Sequence, residues 1–307
     1  MVPAYECAAH LKNHSFSLRN YRNLGCQVLW VASPSPDGTD KVAQQICNET
    51  GDQFLLSPPG LYESWNFGIA RVKTEFVAIS TISDTYINED LFILEDLLNA
   101  LSADICFTPP AVIKLSHKEI SELNTWPIFR FADYFAPFSN KICPQDLLTA
   151  VQLSSGLSCV LGSWASILAR TSVLKSFPFP TNYSHYGDAA WFYKNLLSLK
   201  FVFKADPIAR FRCHDKPNSR QLNPHLAYLQ CKELQKKLIQ RAHKKGGIIE
   251  DFLYLYRSYR VVLHKLNKTR GRHPRRFWWI NPKAWLLRFL TRQKNAKLKA
   301  LSSFLGY

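Results

Sequence analysis

The sequence predicts an α/β fold in which a mixed central sheet is flanked by helices and followed by a C-terminal helical extension. The first observation is in residues 61–90, where Trp65, Ile69 and Val72 recur at helical spacing before the apolar run 76–79, which indicates a buried strand. The second is that similar helix and strand patterns alternate along the first two thirds of the chain. The third is size, since 307 residues with 47% hydrophobic residues can bury one large core or two smaller ones.

The elements of the amino-terminal part follow one another in a regular order. The predicted helices are 11–21, 42–50, 62–72 and 91–98, and the predicted strands are 26–33, 54–56, 76–79 and 103–108. Together they are typical of a βαβαβ nucleotide-binding half. Because no strand precedes residues 2–6, either the first strand is a stub or the recorded start lies downstream of the original one.

The periodicity weakens from residue 109 to about 157, where aromatic residues are frequent. Two interpretations stay open for this segment: an excursion that walls a substrate cleft, or an aromatic-rich insertion into the core. The remaining predicted elements are a strand in 159–169 that leads into 170–174, a helix at 186–197, extended segments at 201–206 and 208–212, and helices at 226–241, 248–267 and from 283 onward.

Charge is distributed unevenly along the chain. Residues 1–214 contain 17 Lys and Arg against 19 Asp and Glu, whereas residues 215–307 contain 22 against 4, so the formal net charge of +16 comes from the tail. The eight cysteines form no Cys-x-x-Cys pair, which argues against a zinc site and favours free thiols in a reducing compartment. We see no signal peptide and no uncharged apolar run of the ~20 residues that a membrane-spanning helix needs.

Asp84 is a single aspartate within a polar cluster, residues 80–84, that follows the apolar run 76–79. In open α/β sheets, ligands bind outside the carboxyl ends of the strands, so this cluster lies where chemistry is expected. The alternative is that Asp84 is a turn or capping residue.

The chain resembles the family-2 glycosyltransferases, which have the GT-A fold of nucleotide-diphospho-sugar transferases. The resemblance covers roughly residues 2–214 and rests on the order and spacing of several segments. These are residues 2–5 at the start, the strand followed by residues 35–39, Trp65-Asn66 in a helix before the Asp84 strand, Gly187-Asp188 opening a helix, and residues 212–214 after two extended segments. It implies a nucleotide-sugar-binding half at 1–110, an acceptor-binding half at 111–215 and a basic helical extension at 216–307.

The resemblance also implies a donor site. The tyrosine at the position of Tyr5 stacks on the nucleobase in that family, and the acidic pair that contacts the base is replaced here by Ala32 and Ser33. A serine hydroxyl accepts a hydrogen bond from a base imide less strongly than a carboxylate does, so a UDP-type donor is only weakly favoured. The other residues that we expect near the nucleotide sugar are Trp65, Asn66, Ser83 and His214.

Asp84 and Asp188 match the two chemical centres of that family. Asp84 corresponds to the last aspartate of the Asp-x-Asp element that binds Mg²⁺ or Mn²⁺, although Thr81 and Ser83 replace the earlier acids; donor phosphates and waters then have to complete the coordination. Asp188 corresponds to the base that removes the proton of the acceptor hydroxyl in a single inverting displacement. The alternative for Asp188 is a helix cap.

The basic tail combines lysines and arginines with aromatic residues in 265–292. This pattern is typical of a helix in a membrane interface, whereas the alternative is an apolar face packed on the catalytic domain. No nucleic-acid-binding motif accompanies the charge, so nucleic acid is not favoured as a partner.

We therefore predict a cytoplasmic enzyme, peripheral on the inner face of the membrane, that glycosylates a glycan or lipid-linked acceptor. The alternative function is a catalytically degenerate protein of the same fold that binds a glycan or a partner protein.

Overall fold

The computed structural model describes residues 1–87, 90–113, 126–156, 158–212, 224–245, 291–297, 299–300 and 303. The strands are β1 Val2–Ala4, β2 Leu29–Ala32, β3 Gln53–Leu56, β4 Phe76–Ala78, β5 Thr85–Tyr86, β6 Ile105–Phe107, β7 Ala111–Ile113, β8 Lys141–Ile142, β9 Ile167–Arg170, β10 Phe201–Phe203 and β11 Ala209–Arg212. The helices are α1 Ala8–Ser17, α2 Arg19–Asn23, α3 Thr39–Thr50, α4 Leu61–Ile69, α5 Asp90–Ala100, α6 Pro127–Arg130, α7 Ala132–Phe135, α8 Gln145–Ser155, α9 Thr171–Ser176, α10 Gly187–Asn195 and α11 Pro224–Lys245.

The strands form a mixed arrangement, as predicted. Strands β1, β2 and β3 are parallel neighbours in that order, and β4-β9-β6-β10-β8 is a mixed second sheet. The two adjoin at Met1, whose ammonium donates to the Ala78 carbonyl at 2.9 Å and whose carbonyl accepts from the Ser80 N–H at 2.8 Å. These two bonds follow the pattern of a parallel pair, so the carboxyl ends of β1, β2 and β4 lie at one edge.

A third, smaller sheet has the order β5-β11-β7. Strand β5 directly follows Asp84, and it pairs antiparallel with β11 through Tyr86 and Ala209. The strand therefore fixes the chain on the far side of the polar cluster 80–84.

Helix and strand predictions in the first half are confirmed within a few residues, but two parts of the second half differ. Residues 159–163 are turns rather than strand, since Gly162 has a φ of +76° and only Ile167–Arg170 is extended. Helix α8 was not predicted because Leu147 through Leu153 are all buried, which removes the amphipathic period.

The aromatic segment contributes to the core in its described part. Phe131, Phe135 and Phe138 are buried, and the Phe135 ring lies edge-on to Phe107 at 5.9 Å. Of the two interpretations of 109–157, the core insertion fits these residues, while 114–125 lie outside the described residues.

Helix α11 packs on the domain that precedes it. Leu234, Leu238 and Ala242 are buried, and the Gln230 side chain donates to the Asn182 carbonyl at 3.1 Å. The predicted helix 248–267 and residues 265–290 of the predicted membrane contact lie outside the described residues. None of the described helices is both long and apolar enough to cross a membrane.

A buried ion pair ties the first helices to β2 and β3. The Asp52 carboxylate, whose side chain is 4% exposed, accepts from Arg22 Nε at 2.8 Å and from the Trp30 indole N–H at 2.8 Å. Burial alone raises the pKa of Asp52, but the bonds from Arg22 and Trp30 outweigh it, so the pKa lies below its usual range.

We expect Asp52→Asn to lower the free energy of unfolding by about 3 kcal/mol, because the mutation leaves the Arg22 charge partly buried without its partner. The group's folded-state pKa is lowered, so its stabilisation is present above about pH 4 and is lost as the pH falls through that lowered pKa. Urea unfolding at pH 7 and pH 3 measures both effects. The exposed Asp96→Asn is the matched control, and equal stability of the two variants at pH 7 would contradict the prediction.

Candidate functional site

Tyr5 and Ser33 follow adjacent parallel strands at the carboxyl edge of the sheet. The Tyr5 side chain is 51% exposed directly after β1, so its ring is available to a ligand. Ser33 is buried after β2, and its hydroxyl donates to the Pro58 carbonyl at 2.9 Å and lies 3.0 Å from the Ser57 hydroxyl. Ser33 therefore holds the turn after β3, and its predicted contact with a base stays a prediction.

Asp37 stabilises the loop that carries Tyr5 through hydrogen bonds. Its carboxylate accepts from the Ser35 hydroxyl at 2.6 Å, from the Thr39 hydroxyl at 2.7 Å and from the Ala8 N–H at 3.0 Å. These bonds hold the pKa of Asp37 well below its usual range despite a desolvation contribution that raises it. The loops after β1 and β2 are thereby joined, which fixes the backbone next to Tyr5.

Asp84 lies at the same edge, after β4, and is 4% exposed. Its Oδ2 accepts from the Thr81 hydroxyl at 2.5 Å and faces the Ser163 hydroxyl at 3.4 Å. Ser83, with a φ of +76°, makes the left-handed turn between Thr81 and Asp84. The three residues that the sequence grouped thus form one turn, while Ser163 comes from a distant segment that carried no sequence signal.

The surroundings of Asp84 supply oxygen atoms, the ligand type that hard cations prefer. Within the described residues, no group of three or more His, Cys, Asp and Glu side chains is placed to hold a metal ion. A Mg²⁺ or Mn²⁺ ion fits this donor set only with one carboxylate, with hydroxyls nearby and with the remaining oxygens supplied by a ligand or by water.

Asp188 is half-buried in the first turn of α10. Its Oδ1 accepts from the Ala189 N–H at 2.7 Å, and its carboxylate also accepts a hydrogen bond from the Tyr62 hydroxyl. Burial raises the pKa of Asp188 to about 6, and the hydrogen bonds from the Ala189 N–H, the Tyr62 hydroxyl and the Asp188 N–H oppose that rise. A carboxylate with a pKa near 6 is ionised at neutral pH and basic enough to accept a proton from a reacting hydroxyl.

Trp65 and Asn66 lie under the site rather than at its surface. Asn66 donates from Nδ2 to the Phe179 carbonyl at 2.8 Å and accepts from the Phe179 N–H at 2.9 Å. Trp65 is 5% exposed and packs edge-on against Phe179 at 5.2 Å. Both residues fix the segment before α10, and their contact with a nucleotide sugar stays a prediction.

An aromatic cluster connects the two carboxylates. Trp164 follows Ser163, which faces Asp84, and its ring lies 5.5 Å from that of Trp191, one turn after Asp188. The segments that carry Asp84 and Asp188 are therefore linked through packed aromatic rings. His214, predicted to contact the donor, lies outside the described residues.

The mixed sheets flanked by helices match the GT-A fold, and comparison with solved structures supports this fold class. S. aureus TarS 1–349 in complex with UDP aligns with a TM-score of 0.58 at 14% identity, covering 99% of this chain and 89% of that one. The complex of the same fragment with UDP-GlcNAc aligns with a TM-score of 0.58 at 13% identity, covering 98% and 89%. No family model and no curated protein matches the sequence.

Proposed function

We propose that the protein is an inverting glycosyltransferase that transfers a sugar from a nucleotide-diphosphate sugar to the hydroxyl of a glycan or lipid-linked acceptor. The observation that carries the proposal is Asp188, a half-buried carboxylate with a pKa of about 6 in a GT-A fold, whose helix is linked to the Asp84 segment through the packed rings of Trp191 and Trp164. Family-2 membership is part of the proposal, and it rests on the motif order in the sequence.

Asp188 acts as the general base in this mechanism. The acceptor hydroxyl transfers its proton to the Asp188 carboxylate while the acceptor oxygen forms a bond to the anomeric carbon. The bond from that carbon to the diphosphate oxygen breaks on the opposite face, so the configuration inverts and the nucleoside diphosphate leaves. A positioned base of this kind contributes roughly 10²–10⁴-fold to the rate.

Asp84 would hold a Mg²⁺ or Mn²⁺ ion, with the Thr81 and Ser163 hydroxyls orienting its carboxylate. When bound, such an ion neutralises the negative charge that develops on the leaving diphosphate.

Tyr5 binds the nucleobase by stacking, which contributes about 1–3 kcal/mol and tolerates different bases. The Ser33 side chain is buried behind the turn after β3, so it gives little discrimination among bases. UDP is the first nucleotide to test, and the TarS complexes with UDP and UDP-GlcNAc support that choice.

A second candidate function is a non-catalytic binding protein of the same fold. It is favoured by the replacement of the expected acids with Thr81 and Ser83, which leaves Asp84 as the carboxylate of that turn. Such a protein would bind a glycan or a partner protein without turning over a donor.

The location of the enzyme is proposed from its tail. Residues 265–292 combine basic and aromatic residues, and helix α11 adds exposed lysines such as Lys232, Lys236 and Lys237. Anionic lipids attract each nearby basic residue by about 1 kcal/mol, so a cytoplasmic enzyme would be drawn to the inner face of the membrane and to lipid-linked acceptors.

We expect UDP with Mn²⁺ to stabilise the protein in thermal unfolding. At 100 times its dissociation constant, a ligand that binds only the folded state adds about 2.7 kcal/mol. A panel of other nucleoside diphosphates under the same conditions controls for base identity, and Mn²⁺ alone controls for the ion. A protein that responds to none of the nucleotides would contradict the transferase and favour the second candidate.

A further inference from the structure

Helix α4 is fastened to the segment that leads into Asp188. Tyr62 in its first turn is 3% exposed, and its ring stacks on Phe179 at 5.7 Å. Asn66, one turn later, holds the Phe179 backbone through two hydrogen bonds. The helix and the segment before α10 therefore behave as one packed unit.

The Tyr62 ring also lies directly against the backbone at Gly187. A Cβ atom added at Gly187 would lie 2.4 Å from Cδ2 and Cε2 of Tyr62 and 2.8 Å from the Pro180 carbonyl oxygen, so no side chain fits there. This close approach brings the Tyr62 hydroxyl to Asp188, where it donates to the carboxylate and accepts from the Asp188 N–H.

We propose that Tyr62 is a positioning residue that fixes the direction of the Asp188 carboxylate toward the acceptor hydroxyl. The inference rests on the proposed function, because Asp188 is the base in that mechanism. The carboxylate also receives the backbone N–H groups of Ala189 and of Asp188 itself, and the phenol adds a side-chain donor from a different element, helix α4. A carboxylate held from two elements loses less rotamer freedom when the acceptor arrives.

The surroundings of Asp188 in the described part of the chain have opposing effects on the pKa of its carboxyl. Burial disfavours the carboxylate, and the Ala189 N–H, the Tyr62 hydroxyl and the Asp188 N–H favour it. The buried Cys159 thiol also lies near Asp188, and its pKa is raised far above the usual range by burial first and by Asp188 second, so the thiol stays neutral. Removing the Tyr62 hydroxyl should therefore raise the pKa of Asp188.

The test is Tyr62→Phe, which keeps the ring against Gly187 and removes only the hydroxyl. We expect kcat to fall about tenfold while KM for the donor stays unchanged. We also expect the acidic limb of the pH–rate profile, the pH range in which activity is lost as Asp188 becomes protonated, to move to higher pH. The matched control is Tyr193→Phe on the same helix as Asp188, since the buried Tyr193 hydroxyl donates to the Gly156 carbonyl at 2.7 Å. The control should lose stability without any movement of the acidic limb.

The outcomes separate this inference from the proposed function. If Asp188→Asn abolishes transfer while Tyr62→Phe keeps the wild-type kcat and acidic limb, the role of Tyr62 is overturned and the function stands. If the wild-type protein transfers no sugar, the function fails. In that case, carbon-13 NMR can still measure the pKa of the Asp188 carboxyl in the wild type and in Tyr62→Phe. Equal pKa values would show that the Tyr62 hydroxyl does not act on Asp188.

Discussion

Asp188→Asn is expected to reduce kcat for sugar transfer by about 10²–10⁴-fold, because an amide cannot accept the proton of the acceptor hydroxyl. The change preserves the shape of the side chain, so the affinity for the donor nucleotide should stay within about twofold of the wild type. Transfer assays with a panel of UDP-sugars measure the first quantity, and calorimetric titration with UDP measures the second.

The pH dependence gives an independent check on this residue. The pKa of Asp188 is raised to about 6, so the base is protonated and activity is lost as the pH falls through that value. The matched control is Asp146→Asn, since Asp146 on α8 is also partly buried and has a raised pKa. Two results would contradict the role of Asp188 as the base. One is a wild-type rate that does not fall as the pH drops below about 6. The other is a loss of activity in the Asp146 variant as large as that in the Asp188 variant.

Asp84→Asn is expected to weaken Mn²⁺-dependent binding of UDP by at least about 100-fold. Loss of partners that only orient metal ligands already costs about 10–100-fold in other metal sites, and Asp84 is the proposed ligand itself. Calorimetry with UDP in the presence and absence of Mn²⁺ measures the difference, and the affinity without Mn²⁺ should be the same in both proteins.

Two further variants test whether the loss of Mn²⁺-dependent UDP binding is specific to the Asp84 carboxylate. Ser163→Ala should weaken the Mn²⁺-dependent part more mildly, because Ser163 only faces Asp84 Oδ2 at 3.4 Å. The exposed Asp96→Asn should leave it unchanged. If Asp84→Asn binds UDP and Mn²⁺ as the wild type does, Asp84 is not a metal ligand, and the alternative that it is a turn or capping residue holds.

The fold could be predicted from the sequence where the apolar residues follow a helical period or form a short continuous run. Helix α3, with Ala43 and Ile46 buried on one side, and strand β2, buried throughout, have patterns that follow from their surroundings. Helix α8 was missed because both of its faces are covered, and the turns at residues 159–163 were misassigned because an apolar run does not distinguish a buried strand from buried turns.

Only part of the candidate site could be predicted from the sequence. Asp84 and Asp188 stood out because each follows an element boundary and matches a position in an ordered family pattern. Ser163 and Tyr62 did not stand out, since a serine in an apolar run and a tyrosine at helical spacing look like ordinary core residues. Their partners are far away in the chain, so only folding brings a hydroxyl to each carboxylate.

The amino-acid sequence alone determined the α/β class, the approximate elements of the first half, the basic tail and the candidate carboxylates. These are local properties, set by the period of apolar residues and by charge. The tertiary structure decided that Ser33 and Asn66 are engaged by backbone groups, that Asp84 receives two hydroxyls, and that Asp188 is held by Tyr62. Burial and long-range hydrogen bonds set the pKa of a carboxylate, and neither is encoded in any short stretch of sequence.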